Sequence, residues 1–462
     1  MHTHTRRDFL KIINLGIAVS LIATGLLSSS AFGQDKARRK PNVVILFIDD
    51  LGYGDLGCFG NKQTPTPHMD ALANEGTRLT MNYVTNAACS PSRCSLITGM
   101  YTQRFGKFGM ARGHPIPHDH PTLAEFMRDA GYVTGQIGKW DLGSEGQGPH
   151  ERGFMEVARW APSTEERTPS GHQKKQPYQC KKPDGSIVYR TDQDGDYMVE
   201  FVERNKDKPF FLYFSPFAIH TPLEGVPQHY RDRVRGKNDM YGGAVVAVDD
   251  AIGKLRTLLK KLGLEKDTLI LLTGDNGPHP HGSAAPYAGG KMGGTQKEGW
   301  VHTPGIAWWP ETIPAGQTFE GLLCTLDYYA TAAAVAEQKL PKRCDGKNLL
   351  PYLTNKKKGD VHEFIYWYNA GPYSFRHLSA VRWKNWRLVL NRKKKQWELF
   401  DLTKDLQEER NIAEQYEDVV KTMKLKHEEF VSTLPALDAY PAPIRNWAKP
   451  PEGWGWVIGD GK

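Results

Sequence analysis

Four short apolar runs punctuate the chain: Val43–Ile48, Tyr132–Ile137, Phe210–Phe214 and Leu269–Leu272. Each is continuous rather than alternating, the pattern of a strand buried on both faces, as in a parallel sheet. Stretches of helical period lie between them. One opens at Pro67, aligns Met69, Leu72 and Ala73, and stops at Gly76. A second runs from Pro121 through Leu123, Phe126, Met127 and Ala130 to Gly131. A third carries Val245, Val248, Ile252, Leu255, Leu259 and Leu262 and ends at Gly263. Proline at the start and glycine at the end are the expected punctuation. Strands alternating with helices predict an α/β fold, a large and mainly parallel sheet flanked by helices. The polar, loop-rich segment 144–194 breaks the alternation and reads as an insertion. After about Leu340 the character changes. Ser379–Leu390 and Trp397–Leu402 read as the two strands of a hairpin, and Asp418–Leu434 as a closing helix. A main domain over 34–340 and a smaller C-terminal α+β subdomain over 341–462 are therefore expected.

The first 33 residues follow another pattern. Arg6-Arg7-Asp8-Phe9-Leu10-Lys11 precedes an apolar stretch from Ile12 to Leu27 and a small-residue site at Ala31-Phe32-Gly33. Charged, apolar, then cleavable is the order of an export signal, and the paired arginines resemble the twin-arginine type. Gly16 and Gly25 interrupt the apolar stretch, which argues against a membrane span. The mature protein is expected to begin near Gln34 and to work in the periplasm or outside the cell, touching the membrane only through its signal. Export permits disulfides, but the six cysteines show no knot-like spacing and their connectivity stays open.

Composition refines this picture only modestly. With 39% apolar and 24% charged residues the chain is an ordinary globule, not a disordered one. Gly 46 and Pro 30, without a period, exclude collagen and predict many loops. The formal charge of +8 suits an anionic ligand, and without a basic stripe it does not argue for nucleic acid. Twelve tryptophans are compatible with a carbohydrate-facing surface.

The ends of the strands carry the chemistry. In an open parallel sheet, ligands bind beyond the C-terminal edge. The first run ends in Asp49-Asp50 and the last in Gly274-Asp275-Asn276-Gly277. Taken singly, a strand-end aspartate starts a turn. Two pairs on one edge gather three carboxylates and one amide oxygen, a hard site suited to Ca²⁺ or Mg²⁺, because clustered carboxylates repel unless a cation sits between them. Lys139 follows the second run, the third leads to His220, and Lys291 lies in a Gly-rich loop after the fourth. One divalent ion with cations around it would receive a tetrahedral oxyanion. Cys89-Ser90-Pro91-Ser92-Arg93 continues into Leu96-Ile97-Thr98-Gly99, and Pro91 can open a helix that places Cys89 at a helix N-terminus. Histidines at 114, 118, 120 and 172 are pocket-lining candidates set against a plain loop-surface reading.

Cys-x-Pro-Ser-Arg followed by Thr-Gly resembles the signature of the formylglycine-dependent sulfatases of the alkaline phosphatase superfamily. The likeness extends through Pro41-Asn42-Val43, Asp49–Asp55, Thr66–Asp70, Gly138-Lys139-Trp140, Pro209–Tyr213, His220, Gly274–Gly277, Glu398–Leu402 and Asn411-Ile412-Ala413. It implies that Cys89 is oxidised to formylglycine (3-oxoalanine) by a separate maturation enzyme. It further implies that Asp49, Asp50, Asp275 and Asn276 bind one Ca²⁺ with residue 89, that Arg93 holds the modified side chain, and that Lys139, His220 and Lys291 contact the sulfate or leaving group. The expected activity is hydrolysis of sulfate esters on a small molecule or a glycan, with a sulfated carbohydrate favoured. A hydrated aldehyde offers two hydroxyls, one to attack sulfur and one to rebuild the aldehyde and expel sulfate. Two positions depart from the family pattern. Asp141 stands where the family has His, and it can accept a proton but adds negative charge near the sulfate. Six residues rather than four separate Lys291 from Glu298. A phosphonate monoester or phosphodiester hydrolase and a non-catalytic glycan-binding relative are the alternatives.

Overall fold

The computed structural model describes residues 39–109, 115–142, 146–159, 179–223, 225–291, 296–369, 378–391, 393–436 and 455–458. Residues 1–33, expected to be an export signal, and His114 and His172 lie outside these residues. In chain order the strands of the first half are β1 Asn42–Ile48, β2 Thr77–Leu79, β3 Asn82–Tyr83, β4 Val133–Gly138, β5 Glu156–Arg159, β6 Gln179–Lys181, β7 Ile187–Tyr189 and β8 Phe210–Ser215. They are followed by β9 Thr268–Gly274, β10 Gly305–Trp308, β11 Gln317–Phe319, β12 Leu323–Cys324, β13 Phe364–Asn369, β14 Leu378–Trp383, β15 Trp386–Asn391, β16 Gln396–Asp401 and β17 Gly455–Ile458.

Nine strands form one sheet in the order β11-β2-β10-β9-β1-β8-β4-β5-β17. The four runs read from the sequence are its four central neighbours, β9-β1-β8-β4, and all pair in parallel. Short strands extend both sides, with β10 antiparallel to β9 and β17 antiparallel to β5. Alternate residues of β1 feed different cores. Val44, Leu46 and Ile48 pack with Val245, Val248, Ile252 and Leu255 of the Asp239–Lys261 helix and with Met198 and Phe201 of the Arg190–Asn205 helix. Val43, Ile45 and Phe47 pack with Leu96 and Ile97 of the Cys89–Thr98 helix, Leu123 and Met127 of the Leu123–Asp129 helix, and Tyr328 and Tyr329 of the Leu326–Val335 helix. Helices thus cover both faces, which is why β1 is apolar at every position after Asn42. Each such side chain contributes roughly 1.5–3 kcal/mol on burial.

Two expectations need correction. The segment 144–194 is not wholly an insertion: β5 lies within it and pairs in parallel with β4 in the main sheet. Ser379–Leu390 is not one strand but two, β14 and β15, joined by a tight turn in which Lys384 takes a positive φ of 51°. With β13 and β16 they make a four-stranded antiparallel sheet. One face of that sheet packs Phe364, Val381, Leu388 and Leu399 on Met423 of the Glu417–Ser432 helix. The other packs Ile365, Trp367, Ala380, Val389 and Phe400 against Tyr83, Trp300 and Val301 of the main body. Residues 41–462 form one unit. No helix among the described residues is long and apolar enough to cross a membrane. All six cysteines are free thiols.

Candidate active site

β1 and β9 are parallel neighbours in the register Ile48↔Gly274, so the residues after each strand emerge side by side. The Asp275 amide donates to Ile48 O at 3.1 Å, and the Asp50 amide donates to Asp275 Oδ1 at 3.0 Å. Asp50 has a φ of 60°, a left-handed conformation that Asp tolerates better than most residues. Asp49, Asp50, Asp275 and Asn276 are completely buried.

Cys89 is the first residue of the Cys89–Thr98 helix, and no side chain caps that helix at Ala88. An uncapped helix N-terminus favours negative charge. The Cys89 sulfur lies within 4.8 Å of ligand atoms of Asp49 and Asp275. One turn on, the buried Arg93 donates to Asp275 Oδ2 at 2.6 Å, to Lys139 O at 3.2 Å and to Ser215 Oγ, and approaches Asp49 Oδ1 at 3.6 Å. The guanidinium therefore ties the ends of β1, β4, β8 and β9 together. Gly138 makes this approach possible. Its φ is 99°, and a Cβ there would fall 1.8 Å from Ser215 O.

The two lysines each engage one aspartate oxygen. Lys139 Nζ donates to Asp49 Oδ2 at 2.7 Å, and Lys291 Nζ to Asp50 Oδ1 at 2.5 Å. Lys291 Nζ also lies 3.9 Å from Cys89 Sγ. Asn276 Nδ2 donates to Asp50 Oδ1 at 2.7 Å. Three buried oxygens then have no hydrogen bond among the described residues: Asp49 Oδ1, Asp50 Oδ2 and Asn276 Oδ1. Buried acceptors without donors are costly. Three open oxygens from strand ends, beside an aspartate whose oxygens can each accept more than one partner, are the donor set a hard divalent cation takes. The residues present fit Ca²⁺.

Charges point the same way. Burial raises the Asp49 carboxyl, but Lys139, His220, Arg93 and Lys291 outweigh it and hold the group well below the usual carboxylate range. Burial, with Asp49 and Asp50 nearby, pushes Asp275 up to about 7. Burial pushes the Cys89 thiol up to about 11, although Lys139 and Lys291 pull it the other way. A thiol protonated at neutral pH is a weak nucleophile. Asp141, with a φ of 54°, sets its Oδ2 3.8 Å from Lys139 Nζ, with no hydrogen bond to that oxygen among the described residues. His220 Nδ1 engages Thr221 O at 2.5 Å, which turns Nε2 toward the site, 3.9 Å from Asp50 Oδ2. All ten sequence candidates thus gather in one place.

One residue escaped the sequence reading. His279 follows the Asn276 turn by three positions, and its Nδ1 is buried with no hydrogen bond among the described residues. It interacts electrostatically with Asp50, Lys291 and His220. Its only sequence signal was proximity to the Asp-Asn pair. His118 and His120 do not join the site: they engage Gln147 and Thr98 O. A second convergence, Cys324, Asp327 and His362, is internally satisfied, since Asp327 accepts from Cys324 N, Lys347 N and His362.

Comparison with known proteins agrees with this geometry. A family profile described as Sulfatase matches residues 41–338, and one described as N-sulphoglucosamine sulphohydrolase, C-terminal, matches residues 296–432. The N-acetylgalactosamine-6-sulfatase of Mus musculus is 33% identical over 392 residues, covering 75% of this chain and 71% of its own. Arylsulfatase A of Homo sapiens is 33% identical over 384 residues, covering 74% and 73%. Among solved structures, Ps i-CgsB in complex with k-i-k-neocarrahexaose superposes with a TM-score of 0.77 at 28% identity, over 87% of this chain and 95% of that one. A phosphonate monoester hydrolase from Silicibacter pomeroyi shares the fold, with a TM-score of 0.64 at 21% identity over 85% and 95%.

Proposed function

The chain belongs to the sulfatase family and is a sulfuric ester hydrolase, and from that premise we propose that it removes sulfate from a sulfated carbohydrate, using a formylglycine made from Cys89 and one Ca²⁺. The observation that carries the reading is the set of open acceptors at Asp49 Oδ1, Asp50 Oδ2 and Asn276 Oδ1 beside Cys89. Four carboxylates, Asp49, Asp50, Asp141 and Asp275, face three fixed cations, Arg93, Lys139 and Lys291. A divalent ion added to that set shifts the balance toward binding a sulfate ester. Asp49, Asp50, Asp275, Asn276 and the side chain at 89 would hold the ion, which when bound lowers the pKa of the nucleophilic hydroxyl and withdraws charge from the sulfate.

The remaining work falls to the chain's own residues. Lys139 Nζ and Lys291 Nζ bind sulfate oxygens. Asp141 Oδ2, which lacks a hydrogen bond, accepts the proton released from the nucleophile. His220, oriented by its Nδ1–H donating to Thr221 O, turns Nε2 toward the departing alcohol oxygen and, as the imidazolium, passes it a proton as the sulfur–oxygen bond breaks. Arg93 keeps Asp275 and Asp49 in place through a buried, charge-assisted contact. The carbohydrate assignment is supported by the twelve tryptophans and by relatives whose names carry a sulfated sugar or whose structure holds a neocarrahexaose. Residues 1–33 serve as a twin-arginine-type export signal, followed by a catalytic domain to about 340 and the C-terminal subdomain.

The test is direct. Protein co-produced with a formylglycine-generating enzyme should carry the mass of an aldehyde rather than a thiol at Cys89. It should release sulfate from a panel of sulfated sugars, lose activity to a chelator and regain it with Ca²⁺. An unmodified, inactive protein would overturn the mechanism. Faster cleavage of an aryl phosphodiester than of an aryl sulfate would instead favour the phosphonate and phosphodiester branch of the superfamily.

A further inference from the structure

Glu298 is completely buried where the main body meets the C-terminal sheet. Its Oε1 accepts from Tyr83 OH at 2.5 Å and lies 3.4 Å from His302 Nδ1 and 3.5 Å from Arg382 Nε. Its Oε2 pairs with Arg387 Nε at 2.9 Å. Arg387, on β15, also pairs with Glu408, and a second nitrogen of its fork donates to Gln296 O at 2.5 Å. Glu408 returns to the same segment, accepting from the Glu298 amide at 2.5 Å. Lys297 Nζ donates to Gln407 O at 2.7 Å, and the Gln407 amide donates to Pro286 O. Every one of these anchors lands on the stretch 286–302.

That stretch closes the loop bearing Lys291. The Gly277 amide donates to Trp300 O at 2.9 Å, the Lys291 amide to Pro278 O at 2.8 Å, and the Gly299 amide to Ala288 O at 2.8 Å. Asn276 and Lys291 therefore ride on a loop whose far end is fastened to β14, β15 and the turn at 405–408. A Cβ on Gly277 would fall 1.9 Å from Gly299 O, so the two sides of the loop run in contact.

We propose that Arg387 and Glu408 of the C-terminal subdomain are positioning residues, a clamp that sets Lys291 against the sulfate through Glu298. The inference rests on the sulfatase reading of the site. Burying several charges costs desolvation, and such a network is weak evidence of stability by itself. Its directional contacts fix a geometry, and the geometry they fix is that of a loop carrying a substrate contact.

The test is a double-mutant cycle in the mature, Ca²⁺-loaded enzyme. Arg387→Lys keeps the charge but loses the fork, and Glu408→Gln keeps the shape but loses the charge. In the wild-type background each is expected to lower kcat/KM about ten- to a hundredfold, as small misplacements of a binding group do. In a Lys291→Met background the same changes should cost less than about twofold, because the residue they position is gone. Amide exchange at Gly277, Lys291 and Gly299 should quicken in both variants while β1, β8 and β9 stay protected. Equal losses in the two backgrounds, or exchange spread evenly over the molecule, overturn the clamp. Should both buried variants fail to fold, the exposed contacts Lys297→Met and Gln407→Ala carry the same cycle. A wild-type enzyme inactive on sulfate esters but with the local exchange pattern intact would sink the sulfatase reading, and with it the role toward sulfate, while showing that Arg387 and Glu408 do hold the Lys291 loop.

Discussion

Asp141 brings two opposed effects to one atom. Its Oδ2 has no hydrogen bond among the described residues and lies 3.8 Å from Lys139 Nζ, so in the proposed mechanism it would take a proton but also weaken a cation that would bind sulfate. Asp141→Asn removes both effects. The expected result is a fall in kcat of about a hundredfold, the scale of a lost general base, with KM unchanged or lower because a negative charge has left the anion site. Steady-state kinetics on a sulfated sugar separate the two, and an unaltered kcat would exclude Asp141 from proton transfer. Sequence made this residue visible because it stands inside a Gly-Lys-Trp motif beside a strand end. Asp49, Asp50, Asp275 and Asn276 were legible for the same reason: a strand end in a parallel sheet fixes where its next residues go. His279 was not, since it follows the motif by a turn of chain whose path, set by the Gly277–Trp300 and Lys291–Pro278 hydrogen bonds, no local pattern encodes.

Gly138 shows how an element's end carries function. It closes β4 opposite Ser215 and lets the Lys139 amide reach Ser215 O at 2.6 Å. Arg93 spans that junction, contacting Lys139 O and Ser215 Oγ. Gly138→Ala asks an L side chain to take a φ of 99° and to overlap a backbone oxygen. It is expected to lower the midpoint of thermal unfolding, at a cost of about 2 kcal/mol or more, and to lower kcat/KM by at least about tenfold as Lys139 shifts. A fully active, equally stable variant would show that the close approach is not needed. Elements were readable where burial and period agree. β1 and β8 are apolar at all but one position, β9 holds four apolar residues in a row, and the Pro67–Glu75 and Asp239–Lys261 helices keep a clear stripe. The flanking strands were missed because β2, β10 and β11 are only three or four residues long, too short for a period. The β14–β15 turn was missed because Lys384 adopts a positive φ without the Gly or Asn-Gly that normally announces one.

At the scale of the whole molecule, the C-terminal sheet and the main body share one buried carboxylate, and its titration should be readable in stability. Burial by itself would raise Glu298, but the neighbouring His302 ring and the Arg382 and Arg387 guanidinium groups outweigh it and bring the carboxyl from 4.5 down to about 2. Tyr83 and Glu408 complete its surroundings. The folded state therefore favours the anion. A depressed folded pKa gives stability that is fully present above the unfolded value, near 4.5, and lost as pH falls toward about 2. The interval is worth about 3 kcal/mol, a large share of a typical folding free energy. Glu298→Gln cannot titrate, so it should be less stable than wild type at pH 6, with the gap closing as pH falls through 4 toward 2. Urea unfolding of both proteins across that range measures the gap. A gap that stays constant with pH would mean that the ionised carboxylate contributes no stability across the junction. The catalytic loop would then have to be held by the apolar contacts of Trp300, Val301 and Trp367 alone.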